Sequence, residues 1–463
     1  MRKGIISLED LGGLEQTQAV GSDLHITDVE DCVADTISCT DQLQVMSDDV
    51  GAGVEVANTL LKIQDNFSTP EELTEAGAKA LGIAVEHLCN SIGFKKSPLP
   101  ALETFSTDKA AYAKLALEGI GDFISRIVKA ILEAIKKAIK FIIDFITSFF
   151  LSTKSLQKRA DALSKEAASC SSSEAGNDDY IESKRLTTFL DTKLGFITNT
   201  EFNNAFEKHD LIFDTIFEKT IALTESSGIA LKEAYAKTSK FKYGKDKYVL
   251  DNLLETVLAP LISHQHTSLK IDKSVLSRYD DNNVVSDFPL IFNNSSFYIS
   301  LVSASAARGK MSHAIHKAGM FIDHDSEKTN DDIKPIKALS KHDVLAVLGN
   351  VKGNLNGVGS KKSKLKKLVS DLEALSSKIA SDFRNQRINT YLNADALEYI
   401  YSLASVITRF ATTGIPSILK YNLVVDKYSL DYVASSIAKL KQVGDKLNAD
   451  VVPRSSNTPK LLN

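Results

Sequence analysis

The sequence predicts a mainly α-helical protein: a helical bundle or coiled-coil body with one long amphipathic helix and a small β-containing insertion. Three observations predict it. Apolar residues recur at the helical period from Gly119 to Leu151, for about nine turns. Toward the C-terminus apolar residues again fall three and four apart. Around residues 284–304, by contrast, β-branched and aromatic residues gather in short runs. At 463 residues, 43% hydrophobic and 25% charged, the chain is long enough for a substantial core. It is too apolar for wholesale disorder and too polar for a multispan membrane protein.

Taken in order, residues 1–103 form an acidic leader. It holds 18 Asp and Glu against 6 Lys and Arg, whereas residues 104–463 hold 41 acidic and 49 basic residues. An acidic leader is thus joined to a mildly basic body, and the two halves attract. Met1–Gly13 lacks the apolar run of a secretory signal, because Glu9 and Asp10 follow Ile5 and Ile6 at once. The stretches 51–63 and 70–88 read as helices, the second opened by Thr69, Pro70, Glu71 and Glu72. The leader closes on Lys95, Lys96, Ser97, Pro98, Leu99 and Pro100, which is expected to be extended and open to a protease.

Residues 104–169 form the amphipathic segment. Phe123, Ile127, Ile131, Ile135, Ile139, Ile142 and Ile146 share one face, and Asp122, Arg126, Lys129, Glu133, Lys136, Lys137, Lys140 and Asp144 share the other. No run of about 20 apolar residues occurs, which argues against a transmembrane helix. Two readings compete for the apolar face: burial in a bundle, or docking to a membrane surface or partner.

A polar linker follows, Cys170 to Asp179, and then a helical domain over 180–283 with a Phe-rich stretch from Asp210 to Leu223. The β-containing insertion spans 284–325, with strands at Val284–Val285, Pro289–Phe292 and Phe297–Val302 around a turn at Asn293–Ser296. A C-terminal helical bundle covers 335–450. Its stripes are Leu365, Leu368, Leu372, Leu375, Ile379 and Phe383; Leu397, Ile400, Leu403, Ile407 and Phe410; and Leu430, Val433, Ile437, Leu440 and Leu447. Residues 451–463 are a polar tail.

Little in the sequence argues for turnover chemistry. Four cysteines without a CxxC pair, Cys32, Cys39, Cys89 and Cys170, exclude a disulfide scaffold and argue against structural zinc. His264 with His266, and His313 with His316, Asp323, His324 and Asp325, match no metal-site spacing, so no metal and no cofactor is expected. Gly353 to Ser363 resembles a phosphate-binding loop, but Val358 stands where the motif needs glycine. The expectation there is a flexible turn, with Ser360 as the N-cap of the next helix. Lys361, Lys362, Lys364, Lys366 and Lys367 decorate the start of that helix, as a solvated face or a DNA-backbone contact. No nucleophile elbow or dinucleotide fingerprint occurs, and an enzyme is not expected.

The acidic leader, the exposed Pro-Leu-Pro, and Ala101, Leu102 and Glu103 followed by Thr104 together resemble the processed internal head proteins of giant phiKZ-like tailed phages. In that family a prohead protease cuts after Glu in a small-x-Glu pattern. The resemblance implies that residues 1–103 are a propeptide removed by cleavage after Glu103, with Ala116, Leu117 and Glu118 as the runner-up site. The pattern recurs at Glu9, Glu86 and Glu398, and Glu103 is favoured by the charge switch beside it. The resemblance further implies a multi-copy structural protein in the head interior, in contact with other head proteins and packaged DNA and ejected into the host. The competing functional class is a membrane-active protein, pore-forming or envelope-interacting, that acts through the amphipathic helix at 119–151. A third class, a delivered enzyme, would have to use His313, His316 and Asp323.

Overall fold

In a computed structural model of the full chain, the residues described are 52–238, 283–302, 319–324, 333–385 and 411–451, with short internal gaps. Helices α1 (Glu75–Ser91) and α2 (Leu102–Thr107) lead into α3 (Lys109–Ser169). Then come β1 (Tyr180–Ile181), α4 (Lys184–Leu190), β2 (Asp191–Thr192), β3 (Gly195–Phe196) and α5 (Phe202–Thr238). Strands β4 (Asn283–Pro289), β5 (Ser295–Val302), β6 (Gly319–His324) and β7 (Ile336–Lys337) precede α6 (Lys341–Ser360), α7 (Lys362–Asn385) and α8 (Ile415–Val451). The chain is mainly α, as the periodicity predicts.

Helix α3 is the axis. It contains 61 residues, so at 1.5 Å per residue it runs about 90 Å, well beyond the predicted 119–151. Its start is set by Asp108, whose carboxylate accepts from the backbone N–H of Ala110 (2.9 Å) and Ala111 (3.1 Å). From Tyr112 to Ala167 its buried residues keep the helical period. Helices α6, α7 and α8 pack along it, and α5 closes the bundle against those same three. Leu365, Leu368, Leu372 and Leu375 of α7, and Leu430, Val433, Ile437 and Leu440 of α8, all enter the core.

Short β-pairings tie distant parts of the bundle together. Strand β1, just after α3, pairs antiparallel with β7, just before α6, with Ile181 opposite Ile336. Tyr432 on α8 donates to the Lys337 carbonyl at 2.6 Å, and Ser436 accepts from the Leu339 N–H at 3.1 Å. The predicted insertion forms an antiparallel sheet in the order β4-β5-β6, with Phe297 opposite both Phe288 and Ile322. Its β4–β5 turn is pinned to the bundle. The Phe292 N–H donates to the Tyr421 hydroxyl (3.0 Å), that hydroxyl donates back to the Phe292 carbonyl (3.2 Å), and the Phe292 ring stacks on Phe189 at 4.6 Å.

Several expectations need correction. Helix α1 starts at Glu75, after Leu73 and Thr74, because the Thr74 hydroxyl accepts from the Gly77 N–H and caps it there. Residues 180–196 include three two-residue strands within the predicted helical domain. The expected turn at Gly353–Gly359 is continuous helix. Val344, Val347, Leu348, Val351, Leu355 and Val358 of α6 form a buried strip, while Gly349, Gly353, Gly357 and Gly359 face outward. Each glycine costs a helix about 0.5–1 kcal/mol, and burial of the strip outweighs it. Ser360 ends α6 instead of capping α7, and its hydroxyl donates back to the Gly357 carbonyl at 2.6 Å. The expected stripe from Leu397 to Phe410, the body of the linker at 172–178 and the tail at 452–463 lie outside the described residues.

Candidate functional site

The leader meets α3 at three places. Near residue 110, the Phe67 ring lies 6.3 Å from Tyr112, and Lys109 Nζ donates to the Leu73 carbonyl at 3.3 Å. Three to four turns along, the edge of Phe94 meets Phe123 at 4.9 Å, while the Arg126 guanidinium covers that ring at 5.1 Å. Burial pushes the Cys89 thiol up to about 11 against the opposing pull of Arg126, so it is a poor nucleophile at neutral pH. Between these anchors a strap at 97–100 crosses the helix at Gly119. A Cβ at Gly119 would lie 2.1 Å from the Pro98 carbonyl oxygen, and only glycine permits that approach. Val56, Leu60, Phe67, Val85 and Phe94 are continuous with the core of the body. The segment expected to be extended and free is therefore partly a packed strap.

Ala101, Leu102, Glu103 and Thr104 fall at the start of α2, a six-residue helix. Ala101 is its N-cap and makes no side-chain cap bond, and both Ala101 and Glu103 are exposed. Phe105 anchors this helix, edge-on to Tyr112 at 5.4 Å, with Lys109 Nζ over the ring at 5.4 Å. A helix this short has little stability of its own, so opening it to a protease costs little. Ala116, Leu117 and Glu118 sit inside α3, with Ala116 fully buried. Cutting there would require breaking the 61-residue helix.

Phe123, Ile127, Ile131, Ile135, Ile139, Ile142 and Ile146 are all buried in the chain's own core. The face considered for a membrane or a partner is thus covered by the leader at one end and by α6, α7 and α8 further along. Among the described residues, no helix is long and apolar enough to cross a membrane.

The lysines of the α6–α7 junction divide into two groups. Lys361 pairs with Asp214 at 2.8 Å and lies over Phe217, and Lys364 pairs with Glu218 at 2.6 Å. Lys362 lies over the Phe150 ring at 5.1 Å. Lys366 and Lys367 are exposed and have no partner among the described residues. Three of the five thus hold α7 against α5 and α3, which leaves two for an outside polyanion.

A buried polar knot joins α5, α6 and α8. His209 Nε2 donates to Asn422 Oδ1 at 3.1 Å, and Asn354 Nδ2 donates to the same oxygen at 2.9 Å. Asn354 Nδ2 also reaches Asp426 Oδ1 at 3.3 Å, and Asn422 Nδ2 donates to Asp426 Oδ2 at 3.2 Å. Burial lowers the His209 pKa to about 4, against the hydrogen bond to Asn422, and keeps the ring neutral. Burial, reinforced by Asp210, raises Asp426 well above the usual carboxylate range. Burial, then Asp214 and Glu207, raises Asp210 to about 7. The knot went unseen in the sequence, although a signal was there. His209 stands in phase with Ala205, Phe206, Phe213 and Phe217, and Asn354 with Val351, Leu355 and Val358. A polar residue at a core phase must find polar partners.

Among the described residues, no group of three or more His, Cys, Asp or Glu side chains is arranged to hold a metal ion. His264, His266, His313, His316 and Asp325 lie outside those residues. Asp323 and His324 lie in β6, opposite Ser296 and Ser295.

The segment that carries the strap, α2 and all of α3 is also the segment that matches a known family. Residues 25–185 match the family of phiKZ-like phage internal head proteins. The matched internal-head-protein segment begins inside the acidic leader and ends in the first turn of α4. The match covers both the leader and the axial helix. Neither a curated protein nor a solved structure matches the chain.

Proposed function

We propose that this protein is a multi-copy structural component of the phage head interior, matured by cleavage after Glu103 and carried into the host with the genome. The observation that carries the reading is the family match, which spans residues 25–185, from the leader through α3. Two structural features support Glu103 over Glu118 as the cut. The first lies exposed in a short, weakly capped helix, and the second lies within α3 beside a buried alanine.

The charge arithmetic gives cleavage a purpose. Before the cut, a leader with 18 acidic and 6 basic residues offsets the basic body and screens it from polyanions during assembly. After the leader is lost, the remaining 49 basic and 41 acidic residues suit contact with packaged DNA, with Lys366 and Lys367 among the free cations. The partners under this reading are the prohead protease, neighbouring head proteins and DNA.

The test is the N-terminus of the protein in purified particles, read by mass spectrometry of semi-specific peptides. A start at Thr104 is the expected result, and a start at Gly119 would move the site to Glu118. An uncut N-terminus, or absence from particles, would overturn the proposal.

A further inference from the structure

We infer that the cut after Glu103 and the release of the leader are separate events: the cut alone leaves residues 52–103 docked on the first four to five turns of α3 as a non-covalent clasp. The inference rests on the cleavage reading above and adds to it what holds the two pieces together.

Three independent contacts carry it. Phe67 and Leu73 engage Tyr112 and Lys109; Phe94 engages Phe123; and the strap carbonyl of Pro98 lies against Gly119. None of them involves the bond between Glu103 and Thr104. Hydrolysing that bond removes a covalent tie and leaves every buried surface as it was. What changes is that docking becomes bimolecular, so that it depends on concentration. The opposite charges of leader and body act in the same direction as the apolar contacts. If the leader then leaves, Tyr112 loses Phe67 and Phe123 loses Phe94, so release, and not cutting, uncovers apolar side chains on α3.

The experiment uses the full chain with a site-specific protease sequence inserted after Glu103, which makes the cut independent of any phage protease. A second version carries the insertion after Ala101 in case the first disturbs Phe105. After complete cutting, size exclusion at micromolar concentration should show both pieces in one peak in physiological and in high salt, separating in concentrated guanidinium. Gly119→Ala should lower the denaturant concentration at which the leader leaves, because the new methyl meets the Pro98 carbonyl, while the helicity of the body is retained. A leader that elutes alone under native conditions overturns the inference. So does a leader lost in high salt, which would mean that charge and not apolar contact held it. Either result leaves the cleavage reading to its own test, the N-terminus found in particles.

Discussion

The two ends of α3 are covered in different ways. From Tyr112 to about Arg126 the cover is the preceding chain, attached through a short helix and a strap. Further along the helix the cover includes α6, α7 and α8, from residues 341 and beyond, with Lys362 over Phe150, Lys352 paired with Asp161 and Arg159 with Asp431. Both ends bury isoleucine and phenylalanine to a similar degree. They differ in how the cover is tied. Under the proposed cleavage, the cover at the first end is detached by one proteolytic event and a dissociation, whereas the cover at the second is woven in by long-range contacts. Burial alone does not tell whether an apolar face is permanently core; the connectivity of its cover does.

The largest effect is expected at the woven end. Ile135→Lys would bury an unpaired ammonium among fully buried neighbours and should abolish cooperative thermal unfolding, followed by far-ultraviolet circular dichroism. A variant that still melts within a few degrees of the parent would break the distinction between the ends.

Truncating an aromatic at each end compares them directly. Phe149→Ala and Phe123→Ala should each cost about 3–5 kcal/mol where measured locally, as cavities in tight cores do. The Phe149 loss should appear in global unfolding. The Phe123 loss should appear mainly as faster amide exchange in residues 75–94, with a smaller change in global stability. Equal effects on leader exchange from both variants would erase the boundary.

The polar knot belongs to the woven end and gives it a pH dependence. Asp210 titrates near 7 when folded and near 4 when unfolded, so the folded state holds the extra proton between those values. Its contribution is fully present below pH 4 and is lost as pH rises through about 7. Asp210→Asn should therefore raise the melting temperature more at pH 8 than at pH 5. His209 acts in the opposite direction. Its folded value near 4 lies below the unfolded 6.5, so its contribution is lost as pH falls from 6.5 toward 4. His209→Gln should flatten that acid limb. A Tm gain for Asp210→Asn that is the same at both pH values would show that the side chain is solvated.

The smallest effects are expected at the lysines. Lys361→Ala removes an ion pair with Asp214 and a ring contact, for roughly 0.5–1 kcal/mol of stability. Replacing both Lys366 and Lys367 with alanine should leave the melting temperature unchanged and lower the salt slope of non-specific DNA binding by about 2. An unchanged slope would remove these two residues from the DNA-facing surface.

Much of the architecture was legible in the sequence. The stripes of α3, α7 and α8 follow from 3.6-residue periodicity, since an amphipathic helix must hide its apolar side whatever covers it. The hairpin of β4 and β5 followed from β-branched residues around Asn293–Ser296. The glycine-rich end of α6 misled because local propensity speaks for a turn there, and packing of Val351, Leu355 and Val358 overrides it. The leader misled for a related reason. Residues 95–100 read as an extended, open piece, while residues 97–100 lie against Gly119 and the scattered apolar residues of the leader, Phe67, Val85 and Phe94 among them, make part of it core. Around Glu103 the sequence supplied the pattern and the charge switch, and the exposure of that bond required the fold.

By itself, then, the sequence determined the helical class, the apolar face of the amphipathic helix though not its length, the place of the β-strands around residues 284–302 and the charge division near residue 103. These depend on residue type and spacing along the chain, which are local quantities. Only the tertiary structure decided what covers each face of α3, which lysines are already engaged, and that His209, Asp210, Asn354, Asn422 and Asp426 meet in one knot. Those outcomes join residues up to 275 positions apart, and no local pattern specifies which of many compatible apolar and polar surfaces will pair.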